Sequence, residues 1–267
     1  MTTRRGRADL HVHSRASDGV DGIEALLEAA IAAGLDVVAI TDHERIDAAV
    51  AARDLADERG MAIEVVVGEE ITTRGGHLLG LWLERRVPAL RALGWSIAAI
   101  HDQGGVAVPA HPLVPYPLCA QGWTLRRLLA SPDPAVHPDA LEGFNPTFFG
   151  RVARRRVTAF AERHALPLIG NSDAHAAEQV ATGWTEFGGR SGADLRAAIA
   201  AGSTTAHGRF HPAGSQVATF ARQLRKYGGD ARSTGARLLG RGEGRDLGYP
   251  AAMSRRPEDG PADEPDR

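Results

Sequence analysis

Histidine and acidic residues recur at the ends of short apolar segments, and this recurrence constrains the fold more than any other feature. The main groups are Asp-Leu-His-Val-His at 9–13, Thr-Asp-His at 41–43 and Asn-Ser-Asp-Ala-His at 171–175. The apolar segments read as strands, and stretches with helical spacing separate them. Functional side chains of α/β barrels lie at the carboxyl ends of strands, so these groups are expected to meet at one mouth of a barrel.

Seven strands alternating with helices are predicted, and this alternation favours parallel pairing through βαβ crossovers. The predicted strands span 10–14, 37–41, 62–67, 77–83, 106–109, 140–144 and 167–170. Seven strands suit a closed or nearly closed barrel better than an open sheet of this length. The expected fold class is therefore α/β, of the TIM-like barrel type.

The composition excludes several classes of protein. The 267 residues carry a formal net charge of −2, so bulk charge recruits neither nucleic acid nor membrane. Cys119 is the single cysteine, so no internal disulfide can form. No apolar segment approaches the length of a membrane span or resembles a signal peptide, which predicts a soluble cytoplasmic protein.

The last part of the chain differs in composition from the rest. We expect one domain over residues 8–208, followed by a C-terminal helical extension at 209–227, within which 214–227 has an apolar helical face. Residues 228–267 are rich in Gly, Arg, Asp and Pro, which predicts a disordered tail.

The clustered residue types are suited to holding divalent metal ions. Imidazole and carboxylate without thiolate favour manganese, iron or zinc. His11 and His13 are two residues apart on a strand and therefore face the same side, and Asp173 and His175 repeat this spacing. A carboxylate such as Glu69 can bridge two ions, and paired ions can clamp both sides of a phosphoryl displacement.

The motifs resemble those of the PHP (polymerase and histidinol phosphatase) superfamily, in family order over residues 8–208. They are Asp-Leu-His-Val-His-Ser with Ser-Asp-Gly, Ile-Thr-Asp-His, Gly-Glu-Glu-Ile, Gly-His-Leu-Leu-Gly-Leu, Pro-Ala-His-Pro and Gly-Asn-Ser-Asp-Ala-His. The resemblance implies a distorted (β/α)7 barrel, a centre of two or three metal ions, and phosphoester hydrolysis.

The resemblance also implies a ligand set. The first ion would be held by His11, His13, Glu69 and Asp173. Glu69 would bridge to a second ion, completed by His77 and His111, and the third would be held by Asp18, His43 and His175. His101 competes with His77 but falls inside a predicted helix. Glu69, Asp173 and His43 are the residues expected to act in catalysis.

Neighbouring polar residues have less specific interpretations. Asp9 and Asp42 are expected to orient histidines through their ring N–H groups. Glu70 is either a ligand or a supporting residue. Asn145 and Asn171 line the pocket or serve in turns.

Three arginines lie in loops near the motifs: Arg15, Arg45 and Arg74. A guanidinium matches phosphate oxygens in a bidentate manner, so each is a candidate to bind substrate phosphate. A solvated loop arginine is an equally good interpretation of each.

The expected activity is that of a hydrolase acting on phosphoric ester bonds. A metal-bridging hydroxide would attack a phosphomonoester or small phosphodiester, in a nucleotide or a phosphorylated metabolite. The alternatives are a 5′-end nuclease on short nucleic acids and a non-catalytic PHP regulatory module. Related amidohydrolases usually carry a metal-bridging lysine, whereas Lys226 lies in the predicted C-terminal helix. The oligomeric state is left open.

Overall fold

A computed structural model describes residues 5–116 and 118–210, except for the side chain of Phe149. The predicted helix at 214–227 and the tail at 228–267 lie outside the described residues, as does all but the start of the 209–227 extension.

Strands and helices alternate along most of the described part, as the sequence predicts. The strands are β1 (Gly6–Val12), β2 (Val37–Ile40), β3 (Glu64–Thr73), β4 (Gly76–Leu81), β5 (Val106–Pro109), β6 (Leu141–Phe144), β7 (Leu168–Gly170), β8 (Gly183–Phe187) and β9 (Thr205–Gly208). The helices are α1 (Ile23–Ala32), α2 (Asp47–Glu58), α3 (Leu93–His101), α4 (Gly122–Leu129), α5 (Phe148–His164) and α6 (Gly192–Ala200). Short 3₁₀ turns occupy Pro134–Val136 and Ala177–Gln179.

In the described residues the strands form a seven-stranded sheet, ordered β5-β4-β3-β2-β1-β8-β9, and a separate β6-β7 pair. The expectation of parallel pairing throughout was wrong. β1, β2 and β3 are parallel, as are β6 and β7, but β4 is antiparallel to both β3 and β5, and β8 is antiparallel to β1. Only Arg74 and Gly75 separate β3 from β4, too few residues for the crossover that a parallel pair requires.

The β6-β7 pair lies between the two ends of the curled sheet. The Thr185 hydroxyl of β8 donates to the Gly170 carbonyl of β7 over 2.9 Å. On the other side, the Ala107 amide of β5 donates to the Asp139 carboxylate, just before β6, over 2.7 Å. These contacts complete a distorted barrel and confirm the expected TIM-like α/β fold, although β8 and β9 were missed.

The core lies on both faces of the sheet. Along β2, Val38 and Ile40 pack in one apolar cluster, with α1 and α2, while Val37 and Ala39 belong to a second cluster that includes α6. A strand covered on both faces must be apolar throughout, which explains the uninterrupted Val-Val-Ala-Ile sequence.

Candidate metal centre

β1 and the residue that follows it carry two fully buried histidines of the centre. His11 and His13 are fully buried and, being two residues apart, project to the same side of the chain. The His13 amide donates to the Ala174 carbonyl over 2.8 Å, and the Ala174 amide donates to the His11 carbonyl over 3.2 Å. This pairing of two distant segments places Asp173 and His175 beside the β1 histidines.

The Glu70 carboxylate lies at the middle of the histidines. Its Oε2 is 3.2 Å from Nε2 of both His11 and His13, and 3.5 Å from His43 Nε2. Its Oε1 is 2.9 Å from His77 Nδ1 and 3.2 Å from His111 Nε2. Each carboxylate oxygen therefore faces a different set of imidazoles, which is the geometry of a bridging carboxylate.

A further group forms around Asp18. Its Oδ2 lies 2.9 Å from His175 Nε2 and 3.7 Å from His43 Nε2. Asp18 sits in a tight turn whose next residue is Gly19, where an added Cβ would lie 2.2 Å from the His13 carbonyl oxygen. Only glycine permits this close approach, so the turn holds Asp18 against the histidines.

Glu69 requires a correction. The sequence interpretation made it the bridging ligand and a catalytic residue, but its Oε2 accepts a hydrogen bond from the Val87 amide over 2.8 Å, on the side of β3 away from the histidines. Adjacent strand residues point to opposite faces, and the bridge between His43 and Glu70 fixes which of the two faces the centre. Apart from Glu69, all the predicted ligands gather in this one place.

His101, the competitor of His77, lies away from the centre. Its ring nitrogens are 2.8 Å from the Ala135 carbonyl and 2.9 Å from the Asp139 carboxylate. Of His77 and His101, it is therefore His77 that the fold brings to Glu70.

The expectation that Asp9 and Asp42 orient histidine rings was wrong. Asp9 accepts from the Ser172 and Ala181 amides over 2.9 Å each. Asp42 accepts from the Ser14 amide over 2.8 Å and its hydroxyl over 2.6 Å. Both carboxylates therefore stabilise the loops that carry the ligands, and neither orients an imidazole ring.

The sequence interpretation missed the groups that contact the Nδ1 atoms of His11 and His111. Glu142 Oε1 lies 2.9 Å from His11 Nδ1, and Cys119 Sγ lies 3.2 Å from His111 Nδ1. Asn171 and Asn145, predicted as pocket or turn residues, donate to Glu142 over 3.0 and 3.2 Å. Glu142 is the one charged residue in the otherwise apolar and buried β6, a signal that could have identified it, whereas Cys119 lies in a loop and carries no such signal.

The three candidate arginines occupy different surroundings. Arg45 donates to the Ala16 carbonyl over 2.9 Å and to Asp47 over 2.6 Å. Arg15 is exposed, with its Nε 3.4 Å from the Val20 carbonyl. Arg74 is at the β3–β4 turn and lines a cavity beside the centre. Phosphate binding by all three stays a prediction.

The donor set fits divalent ions. Among the described residues, His11 Nε2 and both ring nitrogens of His13 are buried without a hydrogen-bond partner, although carboxylate oxygens lie 3.2 to 3.4 Å from them. Ligands bound at about 2.1 Å to one ion lie roughly 3 Å apart, so this spacing is what a shared ion produces. The possible sites are His11-His13-Glu70, His13-Asp18-His43, His13-Asp173-His175 and His43-Glu70-His77.

Comparison with known proteins identifies the family. The PHP domain model matches residues 9–115, and the PHP-associated model matches residues 152–204. The uncharacterized protein MJ1587 of Methanocaldococcus jannaschii is 37% identical over 120 residues, which cover 41% of this chain and 69% of that protein. The chain belongs to the PHP family.

Two curated relatives of this PHP protein have names that state an activity. The phosphoribosyl 1,2-cyclic phosphate 1,2-diphosphodiesterase of Eggerthella lenta is 42% identical over 91 residues, 32% of this chain and 34% of that enzyme. The 5′-3′ exoribonuclease of Haemophilus influenzae is 38% identical over 104 residues, 38% of this chain and 37% of that enzyme. The chain thus spans about a third of each. Both names denote hydrolases of phosphoric ester bonds, which confirms the predicted enzyme class at the level of the family.

A solved structure supports the fold. The two-domain protein from Bacteroides vulgatus containing a predicted PHP-like metal-dependent phosphoesterase superposes with a TM-score of 0.64 and 20% identity, covering 77% of this chain and 65% of that one. Among the helices that the structure describes in this PHP chain, none has the length and apolar character needed to cross a membrane.

Buried histidines and carboxylates shift each other's pKa values at the centre. Burial lowers the pKa of His13, but the neighbouring Asp18, Asp173 and Glu70 outweigh this effect and raise it to about 10. Burial raises the pKa of Glu70, yet the histidines around it, with His77 and His11 foremost, hold that pKa well below its usual range. His13 and Glu70 thus stabilise each other's charged forms.

Two residues of the centre have unusual backbone conformations. Asp173 has a φ of 51° and His111 a φ of 31°, in a region that residues other than glycine rarely adopt. Such conformations persist where the surrounding structure enforces them, and they are concentrated at functional sites.

Proposed function

We propose that this chain hydrolyses a phosphomonoester or a small phosphodiester, in a nucleotide or a phosphorylated metabolite. The observation that carries the proposal is the position of Glu70, whose two oxygens face separate sets of imidazoles. A carboxylate with a purely structural role is satisfied by one hydrogen-bond or ion-pair partner. A carboxylate whose two oxygens face different sets of histidines is instead suited to bridging two metal ions.

In this proposal the centre holds two or three ions of manganese, iron or zinc, with Glu70 in the role that the sequence suggested for Glu69. The proposed ligands are His11, His13, Glu70 and Asp173 for one ion, Glu70, His77 and His111 for the second, and Asp18, His43 and His175 for the third. Divalent ions held there would activate water and neutralise charge on the phosphoryl oxygens.

The burial of the ligands gives the centre an inner and an outer side. His11 and His13 side chains are fully buried, while His43, His111 and Asp173 side chains are 18%, 17% and 13% exposed. A substrate phosphate would approach from the outer side, where Asp173 and His43, the residues expected to act in catalysis, lie. Burial lowers the pKa of His43 in spite of Glu70 and Asp18, which favours the neutral imidazole.

A 5′-end nuclease acting on short nucleic acid is the second candidate. The similarity to the Haemophilus influenzae exoribonuclease favours it. The completeness of the donor set argues against a non-catalytic regulatory module. The cytoplasmic location stays a prediction.

The test is a hydrolysis panel with manganese, iron and zinc supplied separately to protein freed of metal by chelation. The panel contains phosphomonoesters, nucleotides, a cyclic phosphodiester and short 5′-phosphorylated RNA. We expect metal-dependent hydrolysis that His77→Ala reduces at least about a hundredfold, because a ligand is lost. His101→Ala is the matched control and should retain turnover. Absence of hydrolysis on every substrate with every metal would refute the proposal.

A further inference from the structure

A cavity of about 360 Å³ lies beside the metal centre, between the β3–β4 turn and the segment that leads into α4. Its walls include Arg74, Tyr116, Cys119, Gln121, Trp123 and Thr124. The family models match residues 9–115 and 152–204, so all of these residues except Arg74 fall in the unmatched interval. The cavity is thus built mainly from a part of the chain that the general family pattern does not describe.

The cavity reaches one of the proposed ligands. Cys119, in its wall, has its Sγ 3.2 Å from His111 Nδ1, and the opposite nitrogen of the same ring is 3.2 Å from Glu70 Oε1. One imidazole ring therefore separates the cavity wall from the bridging carboxylate.

Main-chain contacts hold the two sides of the cavity together. The His77 amide donates to the Leu118 carbonyl over 2.8 Å. Gly76 has a φ of 120°, and an added Cβ would lie 2.3 Å from the Ala120 nitrogen, so the turn packs directly on the opposite segment. The Gln121 amide group donates to the Val114 carbonyl over 2.7 Å and the Cys119 carbonyl over 2.9 Å, which stabilises that segment.

Two aromatic side chains in the wall remain accessible to a ligand. Tyr116 is 51% exposed and Trp123 is 66% exposed, although both belong to the large residues that folding usually covers. Aromatic rings offer flat faces on which heteroaromatic bases stack, and such stacking tolerates different bases. Arg74 adds a planar cation that can stack on the same rings or contact an anionic group.

We infer that this cavity binds the base of a nucleoside phosphate whose phosphate lies at the metal centre. The inference rests on the proposed function and narrows its substrate class from phosphorylated metabolites in general to nucleotides. Trp123 is the residue expected to provide most of the stacking surface.

The test compares two non-hydrolysable ligands by calorimetric titration of the metal-loaded protein. One is the phosphonate analogue of adenosine 5′-monophosphate, with a methylene in place of the bridging oxygen, and the other is the same phosphonate of ribose without a base. We expect Trp123→Ala to weaken the adenosine ligand at least about tenfold and to leave the ribose ligand unchanged. Trp123→Phe, which keeps a ring, should retain most of the affinity.

The outcomes separate this inference from the proposed function. Equal weakening of both ligands, no weakening of either, or absence of binding to the unmodified protein would overturn the base site. Selective loss of the adenosine ligand would support the base site even if the hydrolysis panel showed no turnover, a result that would refute only the proposed function.

Discussion

The carboxylate of Glu142 contacts both a ring nitrogen of His11 and the backbone of His111. Its Oε1 lies 2.9 Å from His11 Nδ1, and its Oε2 accepts from the His111 amide over 2.7 Å. An acceptor at Nδ1 places the ring proton there and leaves His11 Nε2 to face Glu70 and Asp173. Burial raises the pKa of Glu142, but His11 and His111 outweigh this and lower it, so the carboxylate is ionised.

Replacing this carboxylate tests its effect on metal binding. Glu142→Gln keeps the shape of the side chain but removes the charge that fixes the His11 tautomer. We expect the affinity for the metal to fall about 10- to 100-fold, as is typical when an outer partner of a ligating histidine is lost. Competition with a chelator measures the affinity. Asp139→Asn, which neutralises a carboxylate bound to His101, is the control, and an equal loss in both variants would contradict the assignment.

Adjacent glutamates on β3 provide a second test. Glu70→Gln removes the carboxylate that faces five imidazoles, so the protein should lose metal and at least about a hundredfold of any turnover. Glu69→Gln keeps an oxygen for the Val87 amide and should retain its metal. Metal content by elemental analysis distinguishes the two variants. Retention of full metal content by Glu70→Gln would refute the bridging role.

The sequence predicted the positions of most strands and the gathering of distant histidines because strand ends in a barrel share one mouth. It could not choose between Glu69 and Glu70. The choice depends on which face of β3 looks inward, and the pairing of Glu70 with His43 determines this in three dimensions. Sequence spacing alone does not show which of two adjacent carboxylates faces the centre.

The sequence also did not show which carboxylates hydrogen-bond to the histidine rings. Asp9 and Asp42 lie next to the histidine motifs and were expected to orient the rings, yet they bind loop amides and hydroxyls. The carboxylate that contacts Nδ1 of His11 is that of Glu142, at a separation of 131 residues. Contacts between segments so distant follow from the closure of the barrel by β6 and β7, which local patterns do not specify.

Metal binding should release protons. In the metal-free protein the pKa of His13 is about 10, because the neighbouring carboxylates outweigh the effect of burial. The pKa of His111 is also raised, because its hydrogen bonds with Cys119 and Glu70 outweigh the effect of burial. With its pKa of about 10 the His13 ring is protonated at neutral pH but must be neutral to bind an ion, so the affinity should rise with pH. Titration calorimetry in buffers of different ionisation enthalpy measures the release. A proton count of zero per ion at pH 7 would contradict the expectation.

The buried Glu69 makes the stability of the metal-free protein depend on pH. Burial raises its pKa to about 8, against an ordinary value of 4.5, although the Val87 amide and Arg86 act in the opposite direction. Below pH 4.5 both the folded and unfolded states hold the proton, and between 4.5 and about 8 only the folded state does, so this contribution to stability declines as pH rises. Glu69→Gln removes the titration. The variant should therefore gain stability relative to the unmodified protein by up to about 1.4 kcal/mol per pH unit across this range. Urea unfolding at several pH values between 5 and 8 measures the difference, in which the histidine contributions cancel, and exposed Glu84→Gln is the control. A difference that does not change with pH would show that Glu69 is ionised in the folded protein.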